Sequence, residues 1–191
     1  MINYIHLLNN IAGSSSKRRR GPNKNIALSR RPPGSKFPLT FRDKDGRPKG
    51  LNRKKWSRHA GVVVKTPHNI SHRLLNWQTL SLEQQDALWN CLKVKIDYTF
   101  KFQIKFLKFS FFQDPFECAD GTPIDSHRTA LMGHAKQIWD RWRSELHTKY
   151  IFIHNDNQPA ILANPAPFYD PEDWKFICNA HYFSAKFKVR F

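Results

Sequence analysis

The stretch RTALMGHAKQIWDRWRSELHTKY, residues 128–150, decides the fold class of this chain. Its apolar side chains recur every three or four residues, as one face of an amphipathic helix requires. These apolar positions are Leu131, Ala135, Ile138, Trp139, Trp142, Leu146 and Tyr150. A helix that carries two tryptophans on its apolar face needs a core to pack against. The stretch therefore predicts a folded domain that is mainly helical.

Two further segments, residues 81–93 and 171–185, predict helices that supply the rest of this core. The first begins with Ser81 and Gln84, which fit a capping box. The second begins with Asp170 as N-cap and Pro171 at the first helical position, followed by acids. The apolar faces are Ala87, Leu88, Cys91 and Leu92 in the first helix, and Trp174, Ile177, Cys178, Tyr182 and Ala185 in the second.

A smaller strand component is predicted from two places. Residues 61–65, GVVVK, are rich in β-branched side chains and favour a short strand or an extended segment at the entry to the domain. Between Val94 and Phe106 apolar and polar residues alternate strictly, which is the period of a strand. Residues 113–126, with Pro, Gly and Asp, and residues 155–170, with three prolines, are predicted loops. The expected fold is therefore α+β and mainly helical, a small three-helix domain with a short strand component.

The positive charge of the chain is concentrated near its N-terminus. The 191 residues include 32 Lys and Arg against 15 Asp and Glu, a net charge of +17. Sixteen of these Lys and Arg, but only two of the acids, lie in residues 1–58. Residues 1–50 are also rich in Gly, Pro and Ser, which predicts a disordered basic arm. The folded domain is expected at residues 51–191, with its boundary between Leu51 and Trp56.

Composition excludes several classes of protein and favours one that binds a polyanion. No apolar run reaches the roughly 18 residues that a membrane helix needs. The three cysteines lack CxxC spacing and favour a reducing compartment over a disulfide scaffold. Exposed clusters of Lys and Arg suit phosphate contacts or nuclear import. We predict DNA contacts from Lys17, Arg18, Arg19, Arg20, Lys24, Arg30 and Arg31 in the arm, and from Arg53, Lys54, Lys55 and Arg58 at the start of the domain.

Two groups of residues admit a functional or a structural interpretation. The first group lies on the predicted helix at 128–150 and either faces phosphates or forms an ordinary solvated surface, which we favour. It comprises Lys136, Arg141, Arg143 and Lys149. The second group either stacks on nucleic-acid bases or fills the core, and the helical spacing favours the core. It comprises Trp89, Trp139, Trp142 and Trp174.

No residue pattern predicts catalysis or a cofactor. The acids are scattered and form no obvious cluster for the two metal ions that DNA cleavage would need. His68 and His72 lie four residues apart, but the chain lacks the Cys and His spacing of a zinc site. No Walker loop or GxGxxG motif is present. We therefore expect no catalytic residue, no metal, no cofactor and no enzyme activity.

Several short motifs follow one another in a characteristic order. They are Lys17–Pro22, Asp45–Asn52, Gly61–Lys65 with Trp77, Leu88–Leu92 with Ile96 and Asp97, Trp139–Leu146 with Tyr150, and Asp173–Trp174 with Phe183–Ser184. This order resembles the plant transposase-associated family of the Ptta/En/Spm type, over about residues 17–184. The resemblance implies a nuclear protein derived from a plant DNA transposon and associated with DNA. It implies no catalytic residues.

The chain departs from the family pattern in two ways. About 30 residues near 98–127 separate motifs that are adjacent in the family, which predicts an insertion. The chain also ends soon after the last motif, which predicts a truncated copy. The expected function is a nuclear DNA-binding or transposase-accessory protein, with DNA and a transposase or other nuclear protein as partners, and no membrane. Two alternatives stay open, a protein-interaction module with a nuclear-import arm and a non-functional fragment of a decayed transposon.

Overall fold

The structure, a computed structural model, describes residues 32, 34–93, 115–155 and 157–188. The fold is α+β and mainly helical, as the sequence predicts. Its strands are β1 (Phe37–Phe41), β2 (Pro48–Lys49) and β3 (Phe116–Cys118). Its helices are α1 (Arg53–Val64), α2 (Leu82–Lys93), α3 (Arg128–Leu146), α4 (Gln158–Ala163), α5 (Pro171–Ile177) and α6 (Ala185–Lys188). Short 3₁₀ turns lie at Trp77–Thr79, Ile124–His127 and Phe152–His154.

The three predicted helices are confirmed as α2, α3 and α5. Ser81 and Gln84 form the expected capping box, with N–H to side-chain oxygen distances of 3.0 and 3.1 Å. The Asp170 carboxylate accepts the Glu172 N–H at 2.9 Å and caps α5. π-helical turns extend α3 through His147–Ile151 and α5 through Cys178–Tyr182. Both segments are therefore helical for most of the length that their periodicity indicates.

The tryptophans of these helices form the core, as their spacing predicts. Trp89, Trp139, Trp142 and Trp174 are buried, and they pack in one cluster with Leu131. The Trp174 indole N–H donates to the Ile161 carbonyl at 2.9 Å, so its polar edge is satisfied inside the core. Their burial places these four indole rings in the core, as the helical spacing favours.

The prediction of a strand at residues 61–65 is wrong, because these residues end helix α1. Trp56, Ala60, Val63 and Val64 recur at helical spacing and are all buried. Gly61 faces α3, where a Cβ at this position would lie 3.7 Å from the Ile138 side chain, an ordinary contact distance. Burial against a neighbouring helix outweighs the modest β preference of three valines.

The boundary near residue 51 is also wrong, because the predicted arm contains part of the folded domain. Strand β1 pairs antiparallel with β2 and parallel with β3, giving the order β2-β1-β3. The hairpin turn places Gly46 at a φ of +60°, a conformation that favours glycine. Leu39 of β1 is fully buried in the core. The described part of the domain therefore begins before β1, while residues 1–31 lie outside the described residues.

The two predicted loops contain regular structure. Residues 113–126 include β3, whose Phe116 and Cys118 are buried. Residues 155–170 include α4, capped by the Asn157 side chain. Because β3 completes the sheet, residues 115–127 are built into the fold and are not a dispensable part of an insertion. The rest of the predicted insertion and the alternating segment 94–106 lie outside the described residues.

Candidate nucleic-acid interface

Among the residues that the structure describes, Lys and Arg outnumber Asp and Glu in one part of the chain only. Residues 34–65 contain ten Lys and Arg against two Asp. The other described residues, 66–93, 115–155 and 157–188, contain ten Lys and Arg against ten Asp and Glu. We call residues 34–65 the basic layer and the other described residues the helical body. The excess positive charge of the described chain thus belongs to the basic layer.

The two regions also differ in how their charges are paired. Six cations of the helical body form ion pairs with carboxylates: Arg73–Asp173, Lys93–Asp125, Arg128–Asp86, Lys136–Asp140, Lys149–Glu145 and Lys175–Glu172. In the basic layer, Asp45 pairs with Arg42 at 2.6 Å and with Arg47 at 3.3 Å. The layer's other cations have no carboxylate of the described residues within 4.0 Å. They are Lys36, Lys44, Lys49, Arg53, Lys54, Lys55, Arg58 and Lys65.

The start of helix α1 concentrates this positive charge. The first turn carries Arg53, Lys54 and Lys55 and no acid. Asn52 does not cap the helix, because its side-chain amide donates instead to the Pro38 carbonyl at 2.9 Å. The first backbone N–H groups and the positive end of the helix dipole therefore add to the side-chain charges. This end of α1 attracts anions such as phosphates.

Helix α1 presents basic side chains along its exposed side as well. Lys54, Arg58 and Lys65 are exposed, and their spacing of four and seven residues places them on one face. The rise of a helix spreads these three charges over about 16 Å along its axis. Lys55 bends toward the sheet, where its ammonium lies 3.7 Å from the centre of the Phe37 ring. The opposite face of α1 is buried, so one helix provides both core contacts and a charged surface.

Cations from three elements meet around His134 on α3. The His134 Nε2 atom lies 3.0 Å from the Ser57 hydroxyl of α1. Burial lowers the pKa of His134, and the positive charges of Arg47, Arg53 and Arg141 lower it further. The hairpin, α1 and α3 therefore create a local positive potential that disfavours a charged imidazole.

Of the predicted DNA contacts, the structure brings the α1 residues together on the surface. Arg53, Lys54 and Arg58 are exposed, and Lys55 is half-buried. Lys17, Arg18, Arg19, Arg20, Lys24, Arg30 and Arg31 lie outside the described residues. The α1 cluster thus stays a candidate interface with a defined geometry.

On α3, the prediction that four cations lie on a solvated face is wrong for one of them. Arg143 is buried, and its Nη1 atom donates to the Leu74 carbonyl at 2.7 Å. Lys136 and Lys149 are paired with acids of the same helix. Arg141 is exposed and has no ion pair with a described residue. Arg141 is therefore the member of this set that adds to the basic surface.

The basic residues of the β1–β2 hairpin were not among the predicted contacts. Arg42, Lys44, Arg47 and Lys49 lie on or beside this hairpin. The dipeptide Asp45–Gly46 is a signal that favours a tight hairpin turn and pointed to an ordered segment here. The hairpin enlarges the candidate interface beyond α1.

Neither a metal site nor a membrane segment is found in the part of the chain that the structure describes. No group of three or more His, Cys, Asp and Glu among these residues is placed to hold a metal ion. None of the helices formed by these residues is long and apolar enough to span a membrane.

Comparisons with models of known protein families, with curated proteins and with solved structures found no match to this chain. Its function is therefore inferred from the candidate interface and from the sequence motifs.

Proposed function

We propose that this chain is a nuclear DNA-binding or transposase-accessory protein that holds DNA by its phosphate backbone. The observation that carries the proposal is the concentration of cations without a carboxylate partner in the basic layer, which holds eight of them. A solvated surface that only needs solubility mixes both signs of charge, as the helical body does. A surface with one sign of charge and few counter-ions suits a polyanionic partner.

Phosphate contact is the mode of binding that these residues support. Lys and Arg on α1 and the hairpin neutralise phosphates, and the start of α1 offers backbone N–H groups as further donors. Such contacts position a protein on DNA without reading its sequence. We therefore expect binding to duplex DNA with weak sequence preference and a strong dependence on salt.

The nuclear and transposon-derived parts of the proposal are supported by the motif order that resembles the plant transposase-associated family. The basic clusters at residues 17–20 and 30–31 suit nuclear import as well as DNA contact. In this proposal the protein binds DNA without a catalytic centre of its own, and DNA cleavage is the task of a separate transposase.

The proposal is tested by fluorescence anisotropy of a labelled 20-base-pair duplex titrated with the full chain at 50–200 mM NaCl. The triple variant Arg53→Ala, Lys54→Ala, Arg58→Ala removes three expected phosphate contacts. Because each contact contributes about 0.9 to the slope of log K against log salt, we expect this slope to become shallower by about 3. Affinity at low salt is expected to fall at least tenfold.

A matched control shows whether DNA affinity depends on where the removed charges lie or only on the net charge of the protein. The variant Arg73→Ala, Lys149→Ala, Lys175→Ala also removes three positive charges, but from ion pairs of the helical body. We expect it to bind nearly as well as the native chain. Equal losses in the two triple variants would contradict a localised interface and leave only a general charge effect.

A shortened chain that lacks residues 1–31 separates the arm from the folded domain without removing β1. We expect it to bind DNA more weakly than the full chain, with the α1 cations still needed. If all binding disappears with residues 1–31, the protein-interaction module with an import arm becomes the better description. If the full chain does not bind DNA at low salt, the proposal fails.

A further inference from the structure

A cleft of about 680 Å³ lies on the flank of α3 that faces away from α1. Ile138 of α3 faces α1, whereas Trp139 and Arg143 line the cleft. The remaining walls include Leu75, which precedes the 3₁₀ turn at Trp77–Thr79, and His181 in the π-helical turn after α5. Its volume is in the range of small-molecule sites. The cleft is separate from the basic surface.

Arg143 is the unusual residue of this cleft. Its side chain is only 5% exposed, and its Nη1 atom donates to the Leu74 carbonyl at 2.7 Å. The Nε and Nη2 atoms are buried and have no hydrogen-bond partner among the described residues. The rings of Trp139 and Tyr182 lie 5.1 and 5.6 Å from the guanidinium carbon. These rings favour a cation but do not neutralise it.

No described group near Arg143 supplies the missing negative charge. Asp140 lines the cleft, but it already pairs with Lys136 at 2.6 Å. Burial raises the pKa of the Tyr182 hydroxyl and of the Cys178 thiol to about 12, although Arg143 opposes both shifts. Both groups are therefore neutral at physiological pH. A buried cation without a counter-ion is costly and calls for an explanation.

We propose that this cleft binds a small aromatic monocarboxylate, with Arg143 as its counter-ion. The two unpartnered nitrogens, Nε and Nη2, lie on one edge of the guanidinium and match the two oxygens of a carboxylate. One uncompensated positive charge is balanced by a monoanion. The wall formed by Trp139, Leu75 and Phe187 suits a flat apolar body.

Two features of the backbone bear on how the ligand enters. The π-helical turn that follows α5, at 178–182, contributes Ala180 and His181 to the cleft, and such turns are frequent at functional sites. The Nε and Nη2 atoms are closed off from solvent. We expect the Leu74–Leu75 segment to move on binding, because its carbonyl holds the Arg143 side chain and Leu75 borders the cleft.

The test is an NMR titration of the full ¹⁵N-labelled chain with benzoate and with 2-naphthoate, each up to 10 mM. The signals to follow are the Nε–Hε group of Arg143, the indole N–H of Trp139 and the backbone amide of Leu75. We expect at least one carboxylate to shift these signals saturably. Benzamide and 2-naphthamide, which have the same shape without the charge, are expected to bind at least tenfold more weakly. Absence of saturable shifts with both carboxylates, or equal binding of the amides, would overturn the proposal.

Three variants locate the site. Arg143→Lys keeps the charge but removes the planar fork, and we expect at least a tenfold loss of affinity. Ser144→Leu narrows the cleft and leaves the guanidinium in place, and we expect a similar loss. Lys149→Gln lies on the exposed side of the turn after α3 and is expected to bind normally. If Arg143→Lys does not fold, the affinity of Ser144→Leu and the comparison of carboxylates with amides in the native chain decide whether the cleft binds the carboxylate.

Titration with phenyl phosphate tests whether the cleft prefers a carboxylate or a phosphate, the two anions that arginine binds most often in proteins. We expect phenyl phosphate to bind more weakly than the carboxylates, because the ammonium of Lys136, which also lines the cleft, is already paired with Asp140 and leaves the second negative charge without a counter-ion. Tighter binding of phenyl phosphate would overturn the assignment to a carboxylate. Binding that is unchanged in both Arg143→Lys and Ser144→Leu would overturn the location.

Discussion

The basic layer and the helical body belong to one fold but treat charge in opposite ways. The helical body has equal numbers of basic and acidic residues and pairs six of its cations with carboxylates. The basic layer leaves most of its cations without a described partner, and its one helix starts with three of them. Charge repulsion of this kind is unfavourable for folding. Both regions supply side chains to the same core, so the contrast between them lies in their surface charge and not in their share of the packing.

Helix α1 joins the two regions. Its buried face, which includes Trp56 and Val63, packs on α3 and α2. Its exposed face carries Lys54, Arg58 and Lys65. Substitutions on the two faces of this helix and in the two regions should therefore have separable effects on stability and on DNA affinity.

The largest effect is expected from Trp174→Ala in the helical body. Trp174 is fully buried, and its removal leaves a large cavity and takes the indole N–H donor away from the Ile161 carbonyl, which keeps only the Asn164 N–H at 3.3 Å. We expect the free energy of unfolding to fall by about 3–5 kcal/mol, measured by urea denaturation. That loss is comparable with the whole stability of many domains. Phe152→Ala, at an exposed position, should change the value by less than about 0.5 kcal/mol.

The second effect tests whether β1 belongs to the fold. Leu39 is 0% exposed and Leu51 is 89% exposed, although both lie in the segment first expected to be at or before the domain boundary. Leu39→Ala should lower the free energy of unfolding by about 2–4 kcal/mol. Leu51→Ala should change it by less than about 0.5 kcal/mol. Similar small changes in the free energy of unfolding of both variants would indicate that residues 1–50 form a disordered arm after all.

The sequence predicts best those elements whose signals are local. The period of the apolar residues in 128–150 and the capping groups at Ser81 and Asp170 depend on neighbours within a few positions. The sheet is different, because β1 finds its parallel partner β3 far along the chain, at Phe116–Cys118. Nothing in FPLTF by itself distinguishes an ordered strand from a short apolar patch in a basic arm.

The candidate interface was partly predictable for the same reason. A cluster such as Arg53, Lys54, Lys55 is visible in the sequence, whereas the convergence of Arg47, Arg53 and Arg141 depends on packing. Arg143 shows that the exposure of a residue can be predicted wrongly even within one helix whose period is clear. It follows Trp139 by four residues and precedes Leu146 by three, which places it beside the apolar face. This spacing was the available sign that Arg143 is buried.

The third effect concerns the pH dependence of stability and tests the contact between α1 of the basic layer and α2 of the helical body. His59 of α1 bonds to the Leu92 carbonyl of α2 at 3.0 Å, and burial lowers its pKa from 6.5 to about 4. The unfolded chain therefore binds a proton below pH 6.5, while the folded chain does not until about pH 4. Stability is complete above pH 6.5 and is lost as the pH falls from there toward 4. Between pH 7 and pH 5 this histidine should cost about 2 kcal/mol.

The measurement is a series of urea unfolding curves between pH 7 and pH 5. His59→Gln should flatten the decline, whereas His68→Gln at an exposed position should leave it unchanged. The pKa values of His72 and His134 are also lowered by burial, so a smaller decline should remain. A decline that is equally steep in native chain and His59→Gln would contradict the assignment.

The smallest effect is the most direct test of the contrast between the regions. Lys54 lies in the first turn of α1, where the helix dipole and the neighbouring Arg53 and Lys55 repel a positive charge. Lys54→Glu should therefore raise the free energy of unfolding by about 0.5 kcal/mol. The same change removes a phosphate contact and adds repulsion, so DNA affinity at low salt should fall about tenfold. Opposite signs for stability and affinity would show that the layer gives up stability for binding.

Lys149→Glu in the helical body provides the matched control for this substitution. Lys149 follows α3 and pairs with Glu145, so a glutamate here meets a like charge near the negative end of the helix. This variant should lose a few tenths of a kcal/mol in stability and keep its DNA affinity. If both variants lower stability and neither changes affinity, the cations of α1 are a solvated surface. In that case the DNA-binding role of the basic layer has to be given up.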